Sequence, residues 1–158
     1  MKAMAIELWR AILMERLAAL LSSQDAARSG TRVDGEHRPS NRGERAAVSS
    51  QGYLAHGLGE RATALQNHLE NLDDMGHAQR TEVVVGALMS LRIDEGPTHH
   101  IILLPGGDAT ELDVEGTPIQ VLSTSSPMAR QLRDSVAGDA EEIELGGGFV
   151  EVELIAIE

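Results

Sequence analysis

Ser125-Ser126-Pro127-Met128-Ala129-Arg130-Gln131-Leu132-Arg133-Asp134-Ser135-Val136-Ala137-Gly138-Asp139 is the stretch on which the fold turns. It sits between two strand-like runs and reads as an exposed turn, a short amphipathic helix and a tight Gly-Asp corner. Ser126 is placed to cap the helix, and Pro127 fits its first position, where no N–H is required. Leu132 and Val136, four residues apart, are expected to face a sheet, while Arg130, Arg133 and Asp134 stay in water.

Strand signals surround this segment. Val83-Val84-Val85 and Leu88 to Ile93 form one β run, broken by Asp94-Glu95-Gly96-Pro97. His99 to Leu104 forms a second and ends at Pro105-Gly106-Gly107. Ile119 to Leu122 is a third, set off by Gly116-Thr117-Pro118. Val150 to Ile157 is the fourth and at first alternates apolar and acidic residues, as a half-exposed strand should. Strands with one intervening helix make a small antiparallel α+β unit.

The N-terminal half has a different period. Ile6, Trp9, Leu13, Leu17 and Leu20 fall at steps of three and four, a single helical stripe of coiled-coil type. A polar stretch containing Gly30, Gly35, Pro39 and Gly43 follows. A second stripe, Leu54, Leu58, Ala62, Leu65, Leu69 and Leu72, then runs to Asp73-Asp74-Met75-Gly76. Two stripes joined by a polar segment read as an antiparallel helical hairpin. Gly52, Gly57 and Gly59 each cost a helix about 1 kcal/mol against Ala, so a loose start to the second helix is expected. The organisation is thus a hairpin over residues 1–77, with its tip at about 28–45, and a β domain over 78–158.

Composition narrows the function. Trp9, Tyr53 and Phe149 are the only aromatic rings of the Phe, Tyr and Trp type in 158 residues, so the core is aliphatic and an aromatic-walled ligand pocket is not expected. The absence of cysteine excludes disulfides, thiolate metal sites and cysteine nucleophiles. Glu7, Arg10, Glu15 and Arg16 interrupt the apolar N-terminus, so neither a signal peptide nor a membrane span is expected, and a cytoplasmic protein without a membrane partner is the default. Residues 1–80 hold ten Lys or Arg and ten Asp or Glu, whereas residues 81–158 hold three Arg against fifteen acids and carry the whole net charge of −12. An acidic C-terminal half repels nucleic acid and favours a basic protein surface; simple solubility is the competing explanation.

The stretch from Ser125 to Asp139 resembles the Ser-Pro-x-x-Arg-x-Leu…Gly-Asp signature in the C-terminal domain of the bacterial Gre transcript-cleavage factors. Leu103-Leu104-Pro105-Gly106-Gly107 is similar to that family's strand-then-glycine turn. Gly146-Gly147-Gly148 with Val152-Glu153-Leu154-Ile155-Ala156-Ile157 is similar to its closing turn and strand. The likeness covers about half the chain, with two departures: Asp134 stands in place of a usual glycine, and Ala140 with Glu141 puts acid where the next strand resumes. The resemblance implies an α+β protein in which an N-terminal antiparallel α-helical coiled-coil hairpin precedes a small FKBP-like antiparallel β domain with one short helix. It implies docking of that domain at the rim of the RNA polymerase secondary channel, through Ser126, Pro127, Arg130, Leu132, Gly138 and Asp139, with the hairpin reaching down the channel.

In that family the polymerase supplies the chemistry, and the hairpin tip brings carboxylates to a weakly held second Mg²⁺. Mg²⁺ takes oxygen ligands and needs only one or two protein carboxylates. The family's tip reads Asp-x-x-Glu-Asn; here the nearest match is His37-Arg38-Pro39-Ser40-Asn41, so Asn41 fits and both acid positions are lost. The candidate tip residues at the polymerase metal are therefore Asp34, Glu36, Glu44 and Asn41, of which Asp34 and Glu36 flank Gly35. No metal or cofactor is expected in the isolated protein; a Mg²⁺ shared in the polymerase active centre is the one implied. Arg32, Arg38, Arg42 and Arg45, with Arg28 nearby, are candidate contacts to polymerase acids or nascent RNA. Pairing with neighbouring acids is the alternative.

Other constellations carry less. Adjacent His99 and His100 point to opposite faces of a strand, and His68 and His77 lack a third ligand at usable spacing. Ser125 and Ser126 lack the Gly-x-Ser-x-Gly setting of a hydrolase nucleophile, and the glycine runs lack the lysine of a phosphate loop. Two other functions stay open: a peptide-binding or prolyl-isomerase module of FKBP-like fold, and a structural coiled-coil adaptor. The first is weakened because Phe149 is the only aromatic ring of the Phe, Tyr and Trp type in the C-terminal half. No enzymatic activity of its own is expected, and the oligomeric state is left open.

Overall fold

A computed structural model describes residues 1–31, 42–75 and 78–158. Two long helices come first, α1 (Lys2–Thr31) and α2 (Arg42–Met75). Both outrun their apolar stripes, because the flanking Ala, Arg, Glu and Gln residues are good helix formers that continue a helix once begun. The start of α2 is not broken: Gly52, Gly57 and Gly59 all lie within it. Gly59 has a packing reason, since a Cβ there would come within 2.4 Å of the Gln24 Nε2. The buried Gln24 instead fills that space and donates from Nε2 to the Ala55 carbonyl at 3.1 Å. With the Arg10–Asp73 ion pair, this bond fixes the two helices as antiparallel.

The β domain is a six-stranded sheet in the order β3-β4-β2-β1-β6-β5. Its strands are β1 (Leu88–Ile93), β2 (Thr98–Leu103), β3 (Asp108–Val114), β4 (Thr117–Leu122), β5 (Ala140–Leu145) and β6 (Gly148–Ile157). All pairs are antiparallel except β2 with β4. Between β4 and β5 the chain crosses from one side of the sheet to the other edge, and that crossing contains the third helix, α3 (Pro127–Gln131). The expected α+β architecture of a helical hairpin followed by a mostly antiparallel sheet with one short helix is the observed one.

Three local expectations are corrected. The sheet has two more strands than the four expected, β3 and β5. Val83-Val84-Val85 does not extend β1: the segment bends, and only an isolated bridge joins Glu82 to Val136. Val136 does not face the core from a helix, because α3 ends before it and the residue is 41 % exposed.

The described residues group into two compact units. One joins residues 1–11 and 70–158; the other is residues 12–69. In the first, Met128, Ala129 and Leu132 cover one sheet face at Met89, Leu91, Ile101, Val152 and Leu154. Residues of opposite parity, Ile102, Leu104, Ile119 and Val121, are buried on the other face. Ile6, Trp9 and Leu72 are also buried, and the Trp9 indole donates to the Pro105 carbonyl at 2.9 Å. Lys2 is tied to the same unit by donating to the carbonyls of Ala78 at 2.7 Å and Glu158 at 3.0 Å. Burial and the nearby Arg80 push its pKa below the usual 10.5, against the opposing pull of Glu158. Among the described residues, no helix is long and apolar enough to cross a membrane.

Candidate functional site

The motif residues are held by a chain of local hydrogen bonds. Ser126 has extended backbone angles, and its hydroxyl accepts from the Ala129 N–H at 3.2 Å, with Pro127 opening the helix as expected. Leu132 then turns fully inward. Asp134, two residues further on, adopts φ +65°, in the left-handed region. Glycine reaches that region without strain, and aspartate is among the few other residues that tolerate it. Ser135 and Asp134 are fastened to Val83, whose N–H donates to the Ser135 carbonyl at 3.0 Å.

The Gly-Asp corner is a second anchor. Gly138 has φ +97° and donates to the Leu154 carbonyl at 2.7 Å, while Leu154 donates back to the Asp139 carbonyl at 2.8 Å. Asp139 Oδ2 accepts from the Val136 N–H at 2.9 Å, which closes the corner on itself. Gln131 completes the frame: its amide donates to the Glu144 carbonyl at 3.1 Å and accepts from the Glu144 N–H at 2.8 Å.

The expected docking residues therefore divide. Pro127, Arg130 and Gly138 are exposed, Ser126 and Asp139 are half-buried, and Leu132 belongs to the core, where it holds α3 to the sheet. Because α3 is so short, part of the sheet face beside it stays open. The result is a concavity of about 500 Å³ with Ile93, Ile101 and Met128 among its apolar lining and His99, Glu111 and Gln120 among its polar lining. The sequence reading missed this concavity, since it depends on where the helix stops; Asp134 in a glycine position was the one available signal. No Phe, Tyr or Trp lines it, and Phe149 lies elsewhere, 72 % exposed.

Of the tip candidates, Arg32, Asp34, Glu36, Arg38 and Asn41, together with His37 and Ser40, lie outside the described residues. Glu44 belongs to α2, with its side chain likewise outside the described set. Arg42 and Arg45 are exposed on the first turn of α2, and Arg28 is exposed near the end of α1. His99 and His100 do not converge on one point; His100 Nδ1 instead shares a 3.0 Å hydrogen bond with Ser90 Oγ. Among the described residues no group of three His, Asp or Glu side chains is placed to hold a metal ion.

No protein-family model matches the chain, and no curated protein does. Solved structures that are similar include the GreA factor homolog 1 (Gfh1) protein of Thermus thermophilus, at 16% identity and TM-score 0.37, with 94% of each chain covered. A structure of the transcription factor Gfh1 aligns at 19% identity and TM-score 0.39, over 94% of this chain and 92% of that one. Gfh1 of Thermus aquaticus aligns at 15% identity and TM-score 0.36, over 93% and 92%.

Proposed function

We propose that this protein is a Gre-type factor that docks on RNA polymerase and inserts its helical hairpin into the secondary channel, modulating elongation or transcript cleavage with chemistry that the polymerase supplies. The observation that carries this reading is the motif of Ser126, Pro127, Leu132, Gly138 and Asp139, folded as one hydrogen-bonded crossover on a sheet that follows a long hairpin. At 1.5 Å per residue, the 30 residues of α1 span about 45 Å, a length suited to a deep channel. Pro127 and Arg130, exposed on the crossover, offer the docking surface, and the acidity of residues 81–158 suits a basic counterpart.

The tip sequence favours a factor that occupies the channel without delivering a matched acidic pair. His37 and Ser40 cannot provide two anionic oxygens to Mg²⁺, and Asp34 and Glu36 are the replacement ligands if metal is engaged after all. A transcript-cleavage assay on backtracked elongation complexes decides between the two. Little or no stimulation, with competition against a cleavage-stimulating factor, is expected. Strong stimulation abolished by Asp34→Ala with Glu36→Ala would instead establish metal delivery. Failure to co-purify with core polymerase at low salt would overturn the whole reading. A prolyl-isomerase role has no Phe, Tyr or Trp in the concavity to grip proline.

A further inference from the structure

The hairpin changes character at the Gln24–Ala55 hydrogen bond. On one side of it, the base of the hairpin, the apolar steps of both helices are used: Leu13 and Ala62 are buried, and Leu17, Leu20, Leu58 and Leu65 are half-buried. On the other side, in residues 25–29 and 45–54, Ala27 is the one buried side chain among the described residues, and Val48 is half-buried. The two largest apolar side chains there turn outward, Tyr53 at 81 % exposure and Leu54 at 55 %. Both stretches are helical nonetheless. We propose that residues 25–29 and 45–54 open and close as a unit of their own while the base stays folded, with the Gln24–Ala55 bond as the boundary that stops the opening.

Burial of an apolar face supplies most of the stability of a helix in a protein, and a short helix without it is marginal in water. Residues 45–54 lack that support, and their sequence weakens the helix further. Ser49, Ser50 and Gly52 fall together there, and Gly52 lowers the helix equilibrium roughly fivefold against Ala. Packing does not require the glycine: a Cβ at Gly52, or at Gly57 beside the boundary, meets nothing within 4 Å among the described residues. Gly59 is the opposite case, because the Gln24 side chain occupies the space a Cβ would take. The glycine used in packing thus builds the boundary, and those without a packing reason lie beside or beyond it. Gln24 is buried, so breaking its bond leaves a polar group dry and unpaired. Opening of residues 25–29 and 45–54 does not incur that cost, whereas opening of the base does. Regions with few buried apolar contacts open at lower free energy than the whole. A partner that grips this section in its helical form draws on the closed fraction alone. The proposal stands independently of polymerase binding, because it rests on residues 13–65.

Hydrogen exchange of the full chain, read amide by amide by NMR, tests it. Protection factors at residues 45–54 are expected at least roughly tenfold below those at residues 60–68. Gly52→Ala is expected to raise protection at 45–54 roughly fivefold and to leave 60–68 unchanged. Gln24→Ala is expected to move the boundary, so that protection at 55–59 falls to the level of 45–54 while 60–68 stay above it. Equal protection on the two sides of Ala55 in the native chain overturns the proposal, because the hairpin then opens as a whole. Gly52→Ala overturns it if protection rises equally at 45–54 and 60–68, or at neither. Unmoved protection at 55–59 in Gln24→Ala overturns the boundary and the proposal with it.

Discussion

Leu132→Ala and Val136→Ala form the sharpest test of the fold, because the helical period treats these residues as equals and the structure does not. Leu132 is 0 % exposed within the main core cluster, and Val136 is 41 % exposed on a bridge. Truncating Leu to Ala removes three carbons, roughly 2.4 kcal/mol of transfer free energy at about 0.8 kcal/mol per methylene. The cavity left against a close-packed sheet raises the cost to about 3–4 kcal/mol, inside the range of about 2–5 for buried Leu→Ala. Val136→Ala removes two carbons from a partly wet site and is expected to cost below about 1 kcal/mol. Trp9 is the sole tryptophan, fully buried and in the same compact unit, so its fluorescence during urea unfolding reports that unit. With a urea slope of about 2 kcal/mol/M, the Leu132 variant should lose about 1.5–2 M from its midpoint and the Val136 variant less than about 0.5 M. Equal midpoints, or a larger loss for Val136, would refute the early stop of α3 and the packing derived from it.

Three further outcomes follow from single contacts. Ser126→Ala removes the cap on the Ala129 N–H and is expected to cost about 1 kcal/mol in the same urea assay, with Ser126→Thr largely restoring it. Gly59→Ala gains about 1 kcal/mol of helix propensity, but its Cβ meets the end of the Gln24 side chain and disturbs the Gln24–Ala55 bond, so residues 12–69 should gain less than that; combined with Gln24→Ala the full propensity gain should appear, a non-additivity visible in thermal melts followed at 222 nm. Lys2 has a folded-state pKa below its unfolded value of 10.5, so its ionisation weighs against folding at neutral pH and that burden lifts as pH rises from the folded pKa towards 10.5. The native chain should therefore gain stability relative to Lys2→Met as pH rises towards 10.5, and a difference that shrinks as pH rises would contradict the buried, charged placement of Lys2.

What the sequence concealed has a common physical origin. The strands that its periodicity revealed include β1, β2 and β6, central in the sheet and apolar on at least one face. The two it hid, β3 and β5, are the outer strands of the order β3-β4-β2-β1-β6-β5. An outer strand has one free edge, and charge there discourages pairing with other chains. Asp108-Ala109-Thr110-Glu111-Leu112-Asp113-Val114 and Ala140-Glu141-Glu142-Ile143-Glu144-Leu145 accordingly carry three acids each and read as loops. Val83-Val84-Val85 erred in the other direction: its β propensity is strong, but Val83 is held by backbone bonds to the segment after α3. The helices were legible as stripes but not in extent, since their ends depend on propensity rather than on burial. At the site, the Ser126 cap was legible because capping is local, whereas the concavity was not, because it depends on how β1 to β4 and α3 pack in space.

The shortness of α3 joins the motif to its proposed use. Pro127 fixes where the helix begins, and Asp134 at φ +65° leads the chain away after Leu132, so the helix cannot lengthen across β2 and β4. Asp139 then locks the exit by accepting from Val136. The motif thus serves architecture in most of its residues, and its effect is to leave Ile93, Ile101 and Met128 lining an open depression. Glu111 lies on that lining and residues 81–158 are strongly acidic, whereas residues 1–80 are neutral overall and rich in arginine.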